Sequence, residues 1–194
     1  MEMKKKIIVF AGPSGVGKST LSNILLHHSD KFEFSVSATT RPMRLGEKHS
    51  VHYYFFTHDE FKQKIENQEF LEWEEVYPDR FYGTLFSEIS RINASQKVAV
   101  LDIDVLGALN IKKQFGDDAY VVFVKPESTE ALEDRLKIRG TENEEQIKIR
   151  VARFAKELNY EHDFDTILVN ATGKIEQAKQ QVLNIIDQEF TPQP

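Results

Sequence analysis

The stretch Ile7-Ile8-Val9-Phe10-Ala11-Gly12-Pro13-Ser14-Gly15-Val16-Gly17-Lys18-Ser19-Thr20 passes abruptly from an unbroken apolar run to a glycine-rich segment. Ile7 to Ala11, with lysines before it and Gly-Pro after it, reads as a strand buried on both faces of a parallel sheet. Gly12 to Ser19 fits G-x-x-x-x-G-K-[ST], and Leu21, Ile24, Leu25 and His28 then recur at helical spacing. Strand, glycine loop and helix thus follow in the order a phosphate-binding loop requires. Glycines let backbone N–H groups turn inward around phosphate oxygens, and the helix N-terminus adds positive potential. Lys18 is placed to reach the β- and γ-phosphates, and the Ser19 hydroxyl to hold Mg²⁺. Gly12, Pro13, Ser14, Gly15, Val16, Gly17, Lys18, Ser19 and Thr20 are therefore the expected triphosphate-binding set, with ATP as the default nucleotide; the loop does not by itself give the reaction.

Outward from this loop, three further apolar runs read as strands: Val98 to Ile103, Ala119 to Val124 and Thr166 to Val169. Four strands separated by helical stretches predict an open α/β sheet flanked by helices. Two segments break the alternation. From about Phe34 to Ser90 the chain is dense in aromatics, with one clear helix opened by the capping box Thr57-x-x-Glu60, and reads as a strand-rich insertion. From about Glu130 to Leu158 it is charged and helical, broken at Gly140, with a second capping-box pattern at Thr141-x-x-Glu144, and reads as a helical lid. The expected division is a core of 1–35, 96–129 and 159–194, an insertion of 36–95 and a lid of 130–158. Thr191 to Pro194 read as a frayed tail.

At 194 residues and 40% hydrophobic content the chain can bury a sizeable core as one domain with inserted parts. The absence of cysteine excludes a disulfide framework, a Cys-ligated metal and a thiolate nucleophile. A net charge of -6 argues against a general nucleic-acid or anionic-membrane binder, so an anionic substrate must be met by local cations. Lys4-Lys5-Lys6 before Ile7 imitates a secretory signal, but the apolar run stops at Ala11, and no run elsewhere is long enough to span a bilayer. A cytoplasmic protein is expected, with monomer and homo-oligomer equally open. His49-x-x-His52 lacks the further ligands of a zinc site and reads as a solvated loop.

Phe34-Ser35-Val36-Ser37-Ala38-Thr39-Thr40-Arg41-Pro42-Met43-Arg44-Leu45-Gly46-Glu47 resembles the signature of guanylate kinases, which transfer a phosphoryl group from ATP to GMP. Matches continue at Tyr53, Phe70-Leu71-Glu72-Trp73, Tyr82-Gly83-Thr84, Leu101-Asp102-Ile103-Asp104, Arg139-Gly140-Thr141, Arg150 and Ile167-Leu168-Val169-Asn170, spanning nearly the whole chain. The resemblance implies a P-loop core with a GMP-binding insertion and a lid, which coincide with the two departures read from pattern. One position differs: the family usually has Gln where this chain has Leu106. Tyr53 rather than Tyr54 is matched, from its spacing to Arg44.

The residue types suit that reaction. A nucleoside monophosphate is largely dianionic at neutral pH, so its oxygen can attack without a general base, and the site needs alignment and positive charge. The resemblance implies Arg41 and Arg44 as the clamp on the GMP phosphate, helped by Tyr53 and Tyr82, with Arg139 and Arg150 brought from the lid onto the ATP phosphates. Arg135 joins the ATP-binding set, and Arg153 lies in the same charged segment. Guanine presents N1–H and N2–H donors beside O6, so a discriminating pocket needs a carboxylate. Glu72 is that candidate, with Ser37, Thr84 and Asp104 completing the bonds as the resemblance implies. Asp102 and Asp104, two apart near a strand's carboxyl end, share a face, with Asp102 assigned to the Mg²⁺ water shell and Asp104 to guanine. Asn170 is expected to read adenine or to serve as a turn residue.

Three competitors share parts of this pattern. A GTPase is suggested by Asp104-Val105-Leu106-Gly107, which fits D-x-x-G, but no N-K-x-D follows. Another nucleoside monophosphate kinase shares the loop and lid, but Glu72 with Ser37 disfavours it. A noncatalytic guanylate-kinase-like module typically lacks the intact phosphate loop that Lys18 and Ser19 complete here.

Overall fold

The computed structural model describes residues 5–77, 79–140 and 143–190. Thr141 and the tail 191–194 lie outside the described residues. The elements in chain order are β1 (Ile7–Ala11), α1 (Lys18–His28), β2 (Phe32–Phe34), β3 (Ala38–Thr39), β4 (Tyr54–Phe55), α2 (His58–Glu66), β5 (Phe70–Tyr77) and β6 (Arg80–Leu85). They continue as α3 (Phe86–Ala94), β7 (Val98–Ile103), α4 (Val105–Phe115), β8 (Ala119–Lys125), α5 (Thr129–Arg139), α6 (Glu144–Glu157), β9 (Thr166–Val169) and α7 (Ile175–Ile185).

The central sheet runs β2-β7-β1-β8-β9 and is parallel throughout. β1 is its middle strand and is wholly buried, as its apolar run requires. The sequence predicts four strands here and the structure has five. The addition, Phe32-Glu33-Phe34, is an edge strand of three residues, too short for a periodic signal. One face of the sheet packs Ile8, Phe10, Val122 and Val124 against Leu21, Leu25, Leu132, Phe154 and Val182 from the helices. The other packs Val9, Ala99, Leu101 and Val121 against Ile89, Ile92, Ala108 and Ile111.

A second sheet, ordered β4-β3-β6-β5, mixes parallel and antiparallel pairing and has its own small core of Ala38, Phe61, Phe70, Phe81 and Leu85. α3, within the 36–95 stretch, seats Ile89 and Ile92 on the central sheet. Within 130–158, Leu132, Leu136, Ile147 and Phe154 are likewise buried against that sheet. The Thr57-Glu60 capping box is formed, the Thr57 N–H donating to Glu60 Oε2 at 2.7 Å and the Glu60 N–H to Thr57 Oγ1 at 3.2 Å. The second box is shifted from the expected Thr141-Glu144. α6 starts after Asn143, whose Oδ1 accepts from the Gln146 N–H at 2.9 Å while the Asn143 N–H donates to Gln146 Oε1 at 3.0 Å. Asn-x-x-Gln supplies the same reciprocal bonds as Thr-x-x-Glu. Among the described residues no helix is long and apolar enough to cross a membrane.

Candidate active site

Because all five strands of the central sheet run the same way, the loop after β1 and the end of β7 meet at its carboxyl edge, where open α/β sheets bind ligands. The phosphate loop has little freedom there. Gly12 has φ +145°, and a Cβ on it would collide with the Val124 carbonyl oxygen. Gly17 has φ +92°, and a Cβ on it would strike the Asn170 amide nitrogen. Glycine is needed at both points. Lys18 Nζ donates to the Gly12 carbonyl at 2.7 Å and the Pro13 carbonyl at 3.1 Å, and lies 3.7 Å from Asp102 Oδ1. Burial lowers its pKa, with Asp102 pulling the other way. Ser19 Oγ donates to Asp102 Oδ2 at 2.6 Å. One hydroxyl beside one carboxylate suits Mg²⁺, which keeps most of its water and takes phosphate oxygens for the rest. No larger cluster of His, Asp and Glu able to hold a metal occurs among the described residues.

Across a cleft of about 600 Å³ stand the residues of the second sheet. Glu72 on β5 is buried, and Thr84 Oγ1 on β6 donates to its Oε1 at 2.7 Å. Burial raises the Glu72 pKa to about 7; the Thr84 bond works against this and the neighbouring Asp104 with it. Asp104 caps α4, its Oδ1 accepting the Gly107 N–H at 3.0 Å. Ser37, Tyr53 and Tyr82 line the same wall, the two tyrosine rings 6.1 Å apart. Arg41 is buried, its guanidinium 5.4 Å from the Tyr53 ring centre and 5.6 Å from that of Phe55.

The structure gathers Gly12, Pro13, Ser14, Lys18, Ser37, Tyr53, Glu72, Tyr82, Asp102, Asp104 and Arg150 around one cleft. Other expected residues stand elsewhere. Arg44 is exposed, and Arg139 is exposed in the last turn of α5; neither lines the cleft. Thr20 faces a separate groove between α1 and α7. Arg135 is held by Glu127 at 3.1 Å, by the Asn170 carbonyl at 2.6 Å and by Thr172 Oγ1 at 3.0 Å. The amide of Asn170 is buried and donates to the Val16 carbonyl at 2.8 Å, so it braces the phosphate loop from behind.

The guanylate kinase family model matches residues 4–189. This chain belongs to the guanylate kinase family. It is 45% identical over 185 residues to a guanylate kinase of Bacteroides thetaiotaomicron, covering 95% of this chain and 90% of that one. It is 46% identical over 166 residues to one from Porphyromonas gingivalis, covering 85% and 88%. A crystal structure of guanylate kinase from Anaplasma phagocytophilum superposes with a TM-score of 0.74 at 27% identity, over 98% of this chain and 89% of that one. The SH3-kinase fragment of tight junction protein 3 superposes at 0.51 with 14% identity, over 100% and 61%, a likeness of fold alone.

Against the family pattern, Leu106 is a mild departure. Its side chain is exposed in the first turn of α4, and the Asp104 cap is made by the Gly107 N–H. More telling are groups the sequence reading gave no part. Glu47 forms a two-pronged pair with Arg41, Nη1 to Oε2 at 2.9 Å and Nη2 to Oε1 at 2.7 Å, and also accepts the Arg44 N–H at 2.7 Å. The Arg41 pair and the Arg44 N–H hold its pKa down at about 2. The pair occupies the end of the Arg41 fork and leaves its side, Nε–H with the second Nη2–H, facing away from Glu47. Arg-x-x-x-x-x-Glu spacing in a loop carries no periodic signal. Glu74 and Glu157 also line the cleft, both joined to Arg153.

Proposed function

We propose that this chain transfers the γ-phosphoryl group of ATP to GMP, giving ADP and GDP. The observation that carries this reading is the buried Glu72 carboxyl facing a cleft whose opposite wall is the phosphate loop. Glu72 and Asp104 accept the N1–H and N2–H donors of guanine, and Ser37 and Thr84 complete the pocket. Thr84 keeps Glu72 in one orientation through the hydroxyl it already donates. Arg41, fixed by Glu47 and flanked by aromatic rings, presents its free fork edge to the GMP phosphate, with Arg44, Tyr53 and Tyr82 around it. Adenine would leave buried acceptors facing acceptors, which is the basis of rejection.

On the donor side the loop's backbone N–H groups and Lys18 hold the β- and γ-phosphates, while Asn170 and Arg135 brace the loop and the strand end behind it. Mg²⁺ when bound would neutralise phosphate charge; Ser19 and, through water, Asp102 are the residues that would hold it. A GMP phosphate oxygen attacks the γ-phosphorus in line, the bond to the β–γ bridging oxygen breaks, and ADP leaves with the electron pair. Arg150, and Arg139 once the 130–158 segment closes as a lid, stabilise the charge spread over the transferring group and exclude water. On this reading the protein acts in the cytoplasm, in purine nucleotide metabolism.

A coupled ADP-release assay with ATP and Mg²⁺ against GMP, dGMP, AMP, UMP and dTMP tests the reading. Release with the guanine nucleotides and little with the others is expected, and full activity in excess chelator should not occur. No release with GMP, or equal release with AMP, would overturn it.

A further inference from the structure

Arg153 stands where three parts of the molecule meet. On its own helix, α6, its Nε donates to Glu157 Oε1 at 2.7 Å. Its Nη2 reaches across to Glu74 on β5, 3.1 Å from Oε1 and 3.3 Å from Oε2, and lies 4.0 Å from Asp104 Oδ1 at the start of α4. Glu74 is two residues from Glu72 on one strand, so both carboxyls face the cleft. Arg150, three residues before Arg153 on α6, lies on the same helix face and also lines the cleft.

The cleft is crowded with acid: Glu72, Glu74, Asp104 and Glu157 all line it. Their surroundings register the crowding. Burial and the bond to Asp104 push the Glu74 pKa up, and burial raises Glu157, whose Oε2 has no hydrogen-bond partner among the described residues. Asp104 stays low despite burial because Glu74, the Gly107 N–H and the Arg153 charge favour its ionised form. Guanine recognition needs ionised acceptors, and the guanidinium that reaches Glu74 and Asp104 is carried by α6 rather than by the acceptor sheet.

We propose that Arg153 is a positioning residue that couples the two substrate sites, docking α6 on Glu74 and Asp104 so that a seated guanine holds Arg150 over the phosphate loop. The inference rests on the ATP:GMP transfer reading. Its logic is linkage: if docked α6 favours the ionised acceptors that guanine needs, then guanine favours docked α6 by the same factor. GMP should therefore tighten binding of an ATP analogue, and Arg153 should carry most of that effect.

Titration calorimetry with β,γ-imido-ATP and Mg²⁺, with and without saturating GMP, measures the coupling factor directly. Arg153→Met keeps the aliphatic stem and removes the charge. Wild type should show coupling on the order of ten-fold, and the variant a factor near one. Glu74→Gln, on the other side of the contact, should lower the factor too, and combining the changes should add little to either alone. Retention of the wild-type factor in Arg153→Met overturns the inference, as does simple addition of the two effects. Should Arg153→Met fail to fold, Glu74→Gln decides by the same criterion. A wild type that phosphorylates GMP while the variants keep full coupling contradicts this inference alone; a wild type inert toward GMP contradicts the transfer reading beneath it.

Discussion

The two walls of the cleft are built on opposite plans. The phosphate loop is contiguous, Gly12 to Ser19, and works through backbone groups whose geometry the glycines and the Asn170 brace fix in advance. Its lysine is satisfied within the loop, by the Gly12 and Pro13 carbonyls. The acceptor wall is assembled from Ser37, Glu72, Thr84 and Asp104, which sit before β3, on β5, on β6 and at the cap of α4. Its carboxyls are Glu72, which is buried, and Asp104, which is partly exposed, and each accepts a hydrogen bond from the protein. Phosphate, common to all nucleotides, is met by a local and cheap device. In the proposed function, base identity falls to a non-local one that destabilises the fold until the ligand arrives.

The largest effect should come from the donor wall. Lys18→Ala should lower kcat by roughly three orders of magnitude, with a melting temperature close to wild type because the charge it removes is one that burial disfavours. Near-normal turnover would remove the loop from the mechanism. On the acceptor wall, Glu72→Gln keeps the shape but must present an NH₂ to a pocket built for donors. GMP kcat/KM should fall by about ten-fold to several hundred-fold, discrimination against AMP should shrink, and affinity for an ATP analogue alone should not change. Equal loss at both substrates would erase the contrast between the walls. A smaller effect is expected from Glu47→Gln, which weakens the pair that holds Arg41. Steady-state kinetics should show the KM for GMP rising by roughly five- to twenty-fold with kcat nearly unchanged; a fall in kcat alone would mean that Glu47 serves the reacting phosphoryl group instead.

This contrast also explains what could be read without coordinates. The loop was legible because its residues are consecutive and its strand and helix carry clean periodicity, and β7, β8 and β9 were legible for the same reason. Phe32-Glu33-Phe34 was missed because a short edge strand gives pattern too little length. Glu72, Ser37, Thr84 and Asp104 were nameable through resemblance to a family signature, since no spacing rule links positions so far apart. The Arg41–Glu47 pair, the Arg153 junction and the bracing role of Asn170 depend on tertiary approach. The last is instructive: a residue expected to read adenine, or to turn the chain, donates its amide to the loop it supports.

The central claim is that the base-reading carboxyl is kept at the expense of stability, and denaturant unfolding of wild type and Glu72→Gln at pH 5 and pH 8 tests it most directly. The Glu72 pKa is raised from the ordinary 4.5 to about 7 in the folded protein. Below pH 4.5 the group is protonated in both states and costs nothing. Between 4.5 and 7 the unfolded chain releases the proton while the folded one keeps it, so wild-type stability falls as pH rises, and above 7 the loss is constant. The variant escapes this loss. Its stability relative to wild type should therefore be greater at pH 8 than at pH 5 by about 2 kcal/mol. A difference that stays the same at the two pH values, or that favours wild type at pH 8, would show that Glu72 sits in the fold as an ordinary ionised acid and would contradict the account.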